Sequence, residues 1–270
     1  MIEISNDEYR KKEGISSSEI KDWVSAVSPA HWLEKQGKNW DSDAFRFGRV
    51  FHAMVLENLE PKVFHAPINQ KTGKAFGSTS LKYEKAFDEF KAENGADFLT
   101  VSEFGKAQVM AKSCKKVASH ILEGIGYNER SFFTEDKETG VVLKCRPDRI
   151  KGKYLVDLKT CASIGEFEKS ITKYLYHVQA AFYLDVFEQN MDMKMNGFIF
   201  IAVEKQAPYD SGVFVLSGDF LEIGRLQYRK ALEEMIDCKA TGNYRGIMNG
   251  EEQIVIDAPN WLYKKYLEEK

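Results

Sequence analysis

The stretch Arg146–Thr160, "RPDRIKGKYLVDLKT", decides how this chain is read. It sets Asp148, Asp157 and Lys159 among Tyr154, Leu155, Val156 and Leu158, an apolar and strand-like setting. Side chains alternate along a strand, so Leu155, Asp157 and Lys159 share one face and Val156 and Leu158 the other. Buried charges are costly unless they pair or bind a metal. An Asp and a Lys two residues apart can form a plain structural ion pair, and a lone D-x-K matches often by chance. Asp148, read as the end of the preceding strand, changes the balance. Two carboxylates converging there, with the Leu158 carbonyl beside them, offer the hard oxygen donors that suit Mg²⁺. A lysine next to such a site can orient or deprotonate an attacking water, which is chemistry for hydrolysing a phosphodiester.

Working outward, the chain has 270 residues, 43% apolar and 29% charged, enough for one large α/β domain with a substantial core. The formal charge of −3 announces no polyanion partner, so a nucleic-acid surface has to be a local basic patch. No apolar run approaches a membrane span, and the first twenty residues hold no apolar leader. Cys114, Cys145, Cys161 and Cys238 lie far apart with no CxxC pair. That spacing argues against a zinc ribbon or an iron–sulfur cluster and fits reduced thiols in a cytoplasm.

Several segments read as helices. Ser16 and Glu19 have capping-box spacing ahead of Ile20, Trp23, Val24 and Val27. Pro29 opens a second short helix, and "DAFRFGRVFHAMVLEN" reads as a third. Segments 79–93 and 102–124 follow a polar loop at 68–80. After Gly126 the period shortens, and "ERSFFTED", "TGVVLKCRPDRI" and "KYLVDLKT" read as three strands. A helix over about 164–190, two strands, a long helix from Asp219 to Thr241 and a tail, helical or loosely attached, complete the chain. The expected fold class is α/β: a central mixed sheet flanked by helices, with an N-terminal helical extension. One domain is expected over 1–270, with the extension to about 125, the sheet core over about 126–240 and the tail beyond.

"RPD…VDLKT" resembles the PD-(D/E)XK nuclease motif in its D-x-K form. "FGRVFHAMVLE" is similar to the Gly-x-x-x-His helix of the RecB-like branch, and "YHVQAAFYLDVF" to its Gln-x-x-x-Tyr helix. The three stretches stand in the family's order and span roughly residues 15–190. The wording is nearest to the exonuclease VIII (RecE C-terminal) type of phage and prophage nucleases. The resemblance implies a restriction-endonuclease-like core and one or two Mg²⁺ ions, with Mn²⁺ as a substitute. It makes Asp148, Asp157, His52 and the Leu158 carbonyl metal ligands, with Glu129, read as opening the first strand, as a further acidic position. Lys159 becomes the catalytic lysine. Gln179 and Tyr183, four apart on one helix face, are implied to contact Lys159, the water or the DNA backbone.

Ser18 and Lys11 are loose candidates for a grip on a 5′-phosphate at the start of the helix after Ser16. Arg49 and Arg149, with Arg46 and Arg146, add positive charge near the proposed site. The implied activity is a 5′→3′ double-strand DNA exonuclease that leaves 3′ overhangs for a single-strand annealing protein. The implied state is a trimeric or tetrameric ring in a bacterial cytoplasm, with no membrane partner. Each residue has a plainer reading. His52 could be a core histidine, Gln179 and Tyr183 helix packing, Glu129 a solvated residue and Asp148 a turn acid. Two rivals stay open: an endonuclease on the same core, and a non-catalytic module that binds DNA ends or another protein.

Overall fold

The structure, a computed structural model, describes residues 1–38 and 42–268. The first part runs α1 (Asn6–Lys11), β1 (Ile15–Ser16), α2 (Ser17–Ser25), α3 (Pro29–Lys35) and α4 (Asp43–His52). One π-helical turn, Ala53–Glu57, extends α4. Then come β2 (Val63–Phe64), α5 (Leu81–Asn94), β3 (Leu99–Thr100) and α6 (Val101–Leu122). The strands β4 (Tyr127–Asn128), β5 (Phe132–Glu135), β6 (Val142–Cys145), β7 (Arg149–Lys151) and β8 (Tyr154–Cys161) follow. The chain closes with α7 (Phe167–Lys173), α8 (Tyr176–Met191), β9 (Gly197–Glu204), β10 (Ser211–Val215), α9 (Gly218–Thr241) and α10 (Asn260–Leu267).

Local chemistry accounts for the helix starts. The Ser16 side chain accepts from the Glu19 amide while Glu19 returns to the Ser16 amide, the reciprocal cap that the spacing predicts. Pro29 occupies the first turn of α3, where its missing N–H costs nothing.

A five-stranded mixed sheet, in the order β10-β9-β8-β7-β4, forms the centre. β8 runs parallel to β9 along its whole length, and the other pairs are antiparallel. Both faces of the β8–β9 pair are buried, as parallel pairs require. Leu155, Phe198 and Phe200 face one apolar cluster with Ile20, Phe182 and Tyr228. Val156, Leu158, Ile199 and Ile201 face another with Phe51, Met110 and Cys114. The alternation read from 155–158 is therefore what the fold uses. α9 crosses α8 at Gly224, where any Cβ would lie 2.3 Å from the His177 carbonyl oxygen. A smaller sheet, β1-β6-β5, ties the N-terminal segment to the core through the parallel pair of β1 and β6.

Four expectations change. The segment 139–150 is two strands in two sheets, not one, because Pro147 has no N–H to continue a ladder. Asp148 therefore stands just before β7 instead of ending a strand. Glu129 does not open a strand; it sits between β4 and β5 in the left-handed region, at φ 51°. The helix expected over 164–190 breaks into α7 and α8 at Leu175, whose φ is 52°. The helix of His52 ends in the π turn, a local widening found often at functional sites. The tail carries α10 but buries none of that helix's residues, and its last two positions lie outside the described residues. No described helix is long and apolar enough to cross a membrane.

Candidate metal and phosphate site

The site begins where β7 runs out. Arg149 pairs with Val156, and β8 continues past that point to Cys161 without β7 beside it. A strand edge left without a partner exposes its amides and carbonyls. At Leu158 the gap is filled by a side chain: the Leu158 amide donates to Asp148 Oδ2 at 2.7 Å. The Leu158 carbonyl, on the same edge, comes within hydrogen-bond reach of the His52 ring. His52 Nδ1 in turn lies 3.3 Å from Asp148 Oδ2. Glu129 joins them because its amide donates to the Asp148 carbonyl at 3.1 Å. Ligand atoms of His52, Glu129 and Asp148 all fall within 4.8 Å of one another.

The electrostatics suit a bound cation. Burial pushes the Asp148 carboxyl well above the usual range, and the Asp157 charge adds to it. Burial and the Asp148 charge raise Glu129 to about 7, against the hydrogen bond from Arg146. Burial lowers His52, which keeps its ring neutral and able to ligate. Two carboxylates, a neutral imidazole and a backbone carbonyl form a donor set that fits a hard divalent ion such as Mg²⁺ or Mn²⁺.

Asp157, expected among the metal ligands, lies outside that group of three and pairs instead with Lys159. Asp157 Oδ2 meets Lys159 Nζ at 2.5 Å, yet this buried oxygen has no aligned hydrogen-bond donor. Asp157 Oδ1 accepts from Gln179 Nε2 at 2.6 Å. Burial opposes the charge on Lys159, but Asp157 and Asp148 outweigh it and hold its pKa above the ordinary value. Lys159 is thus an ammonium that donates. Of the two roles open to it, orienting or deprotonating a water, this charge state fits orienting an oxygen and countering negative charge.

Gln179 sits at the centre of the polar contacts from α8. Its Oε1 accepts from Lys159 Nζ at 3.4 Å and from Lys21 Nζ at 3.3 Å. One turn on, the buried Tyr183 hydroxyl stands beside the side chain of Ser17, which acts on its ionisation. The matching intervals of four, Ser17–Lys21 on α2 and Gln179–Tyr183 on α8, bring the two helices together face to face.

The phosphate candidates fare differently. Ser18 is exposed, and the buried serine of that helix start is Ser17. Lys11 ends α1 and is exposed. Arg49 pairs with Asp97 at 2.7 Å. Arg149 is buried and donates to the Ile121 carbonyl at 2.9 Å, Asn128 Oδ1 at 2.5 Å and the Gly124 carbonyl at 2.9 Å. Its guanidinium is taken up by the chain itself and is no DNA contact. Arg46 is likewise buried against Asp43, Glu103 and the Phe98 carbonyl. Arg146 holds Glu129 at 2.7 Å and the Ile4 carbonyl at 2.7 Å. Lys21 escapes the sequence reading, and Ser17, part of the helix start offered there, is passed over for its neighbour Ser18. Their spacing of four on the capped helix was the one available signal.

A family model described as a PDDEXK-like domain of unknown function (DUF3799) matches residues 16–246. No curated protein sequence matches the chain. A solved structure from Eubacterium rectale, provisionally named an exonuclease, superposes with a TM-score of 0.65 at 16% identity over 99% of each chain, a likeness of fold. The solved structure of SSO0001 covers 71% of this chain and 85% of its own at 13% identity, and its TM-score of 0.30 carries no weight.

Proposed function

This chain belongs to the PDDEXK-like family (DUF3799), and from that premise we propose that it is a metal-dependent deoxyribonuclease. One observation carries the reading: His52, Glu129 and Asp148 share one point, with the Asp157–Lys159–Gln179 group beside it. His52, Asp148, Glu129 and the Leu158 carbonyl hold the ion. A divalent ion there supplies Lewis-acid stabilisation of the phosphoryl charge. Gln179 fixes the Asp157 carboxylate and the Lys159 ammonium at once. Lys159 donates to a water or phosphoryl oxygen and counters the charge that develops in the transition state.

The finer reading is an exonuclease of the exonuclease VIII type acting on double-stranded DNA ends. It digests 5′→3′ with Mg²⁺ and leaves a 3′ overhang for a single-strand annealing protein. A homo-oligomeric ring in the bacterial cytoplasm goes with that reading. The D-x-K, His and Gln-x-x-x-Tyr positions support it.

End-labelled linear duplex and nicked circular DNA, each with Mg²⁺ or EDTA, form the test. Linear duplex is digested from its ends, 5′-phosphorylated ends are preferred, and EDTA stops the reaction. Cleavage of the closed strand of the circle would favour an endonuclease. Absence of digestion with both Mg²⁺ and Mn²⁺ rejects the proposal.

A further inference from the structure

Two ammonium groups converge on one amide oxygen. Lys159 Nζ and Lys21 Nζ lie 3.4 and 3.3 Å from Gln179 Oε1. Both also stand against the Tyr176 ring, 4.9 and 5.9 Å from its centroid. Lys159 has a counter-ion in Asp157. Lys21 has none: among the described residues, no carboxylate oxygen lies within 4.0 Å of its Nζ. Asp22 and Asp157 act on it only from farther away, while Lys159 repels it.

A half-buried ammonium with one neutral acceptor is an incomplete arrangement. Holding Gln179 in place does not require it, because Asp157 and Lys159 already bind both ends of that amide. For that task a neutral donor would serve without repulsion from Lys159. The charge of Lys21 makes sense with an anion that arrives from outside. α2 presents Lys21 at the site from the same face as Ser17, one turn into the helix.

We propose that Lys21 is a substrate-binding residue that contacts a backbone phosphate of the strand being cut, next to the oxygen held by Lys159. This rests on the nuclease reading above. It places the phosphate path between α2 and the end of β8, not along Arg149.

Binding of an end-labelled duplex, followed by fluorescence anisotropy with Ca²⁺ across a range of salt, tests it. Lys21→Met and Lys21→Gln both remove the charge, and melting curves identify the folded variant. The expected result is a Kd about tenfold weaker at low salt, with the slope of log Kd against log salt smaller by about one. Lys21→Arg keeps the wild-type slope. A neutral variant with the wild-type Kd and slope overturns the proposal, as does an arginine variant that loses the slope as fully as methionine does. A purely structural Lys21 would alter melting or turnover but leave the slope alone. Failure of the wild-type chain to bind any duplex rejects the nuclease reading itself, and this proposal with it.

Discussion

The Asp148 carboxylate accepts the Leu158 amide at 2.7 Å, and this single bond joins the two halves of the D…D-x-K pattern. Pro147 ends one strand and leaves β8 with an open edge; Asp148 closes the edge and faces His52 at once. The oxygen that satisfies the backbone is the same one that stands nearest the imidazole. Position and chemistry at this residue are therefore separable by substitution.

Asp148→Asn keeps an oxygen for the Leu158 amide but removes the charge. In EDTA the variant is expected to melt at or above the wild-type temperature, because burial disfavours the charged form of Asp148. Mg²⁺ is expected to raise the wild-type melting temperature, as any ligand of the native state does, and to leave the variant unmoved. Cleavage is expected to fall by at least about 100-fold. A variant that cuts at the wild-type rate would remove Asp148 from the metal site.

Gln179→Ala removes the amide that organises three side chains. Asp157 loses its donor, and Lys159 and Lys21 lose a shared acceptor. No ligand of the proposed ion is touched. Turnover is expected to drop by about 10 to 100-fold with the Mg²⁺ affinity little changed, since the loss is one of positioning. Titrating Mg²⁺ in the cleavage assay separates the two: a shift in the metal dependence, without a change in maximal rate, would contradict this role.

The central strand was legible because period-two alternation and the D-x-K spacing lie within eight residues, Tyr154–Cys161. Local caps such as Ser16–Glu19 were legible for the same reason. What failed depended on distant partners. Glu129 reads as a solvated or strand-opening acid until its left-handed backbone and its bond to the Asp148 carbonyl place it beside His52. Arg149 reads as a cation near the site, and a charge pattern cannot say that its guanidinium faces carbonyls at the end of α6. Lys21 falls in no motif, and only the meeting of α2 and α8 gives it a neighbour.

Arg149→Ala is expected to act on stability, not on DNA affinity. Three hydrogen bonds vanish, and two of the abandoned acceptors are main-chain carbonyls past or at the end of α6. Leaving such buried groups unpaired costs about 1–3 kcal/mol each in unfavourable cases, so a loss of about 2–4 kcal/mol overall is expected. Urea unfolding measures it. The folded fraction is expected to bind duplex with the wild-type salt slope, and a reduced slope would restore Arg149 to the DNA-contacting set.

Glu129 gives the metal-free protein a pH dependence whose sign is fixed. Burial and the Asp148 charge raise its carboxyl to about 7, whereas in the unfolded chain it titrates near the ordinary value of about 4.3. Between those values the native state holds a proton that the unfolded state has released. Stability therefore falls as pH rises from about 4 to about 7, and this contribution levels off above the folded value. Asp148 acts in the same direction. His52, whose pKa burial lowers, acts the other way, so the contribution is read as a difference: in EDTA, Glu129→Gln, which cannot ionise, is expected to gain melting temperature relative to the wild type as pH rises through this window. Saturating Mg²⁺ is expected to flatten the profile, because a cation stabilises the charged carboxylates that burial penalises. A Glu129→Gln variant whose slope matches that of the wild type would place Glu129 in solvent and take it out of the site.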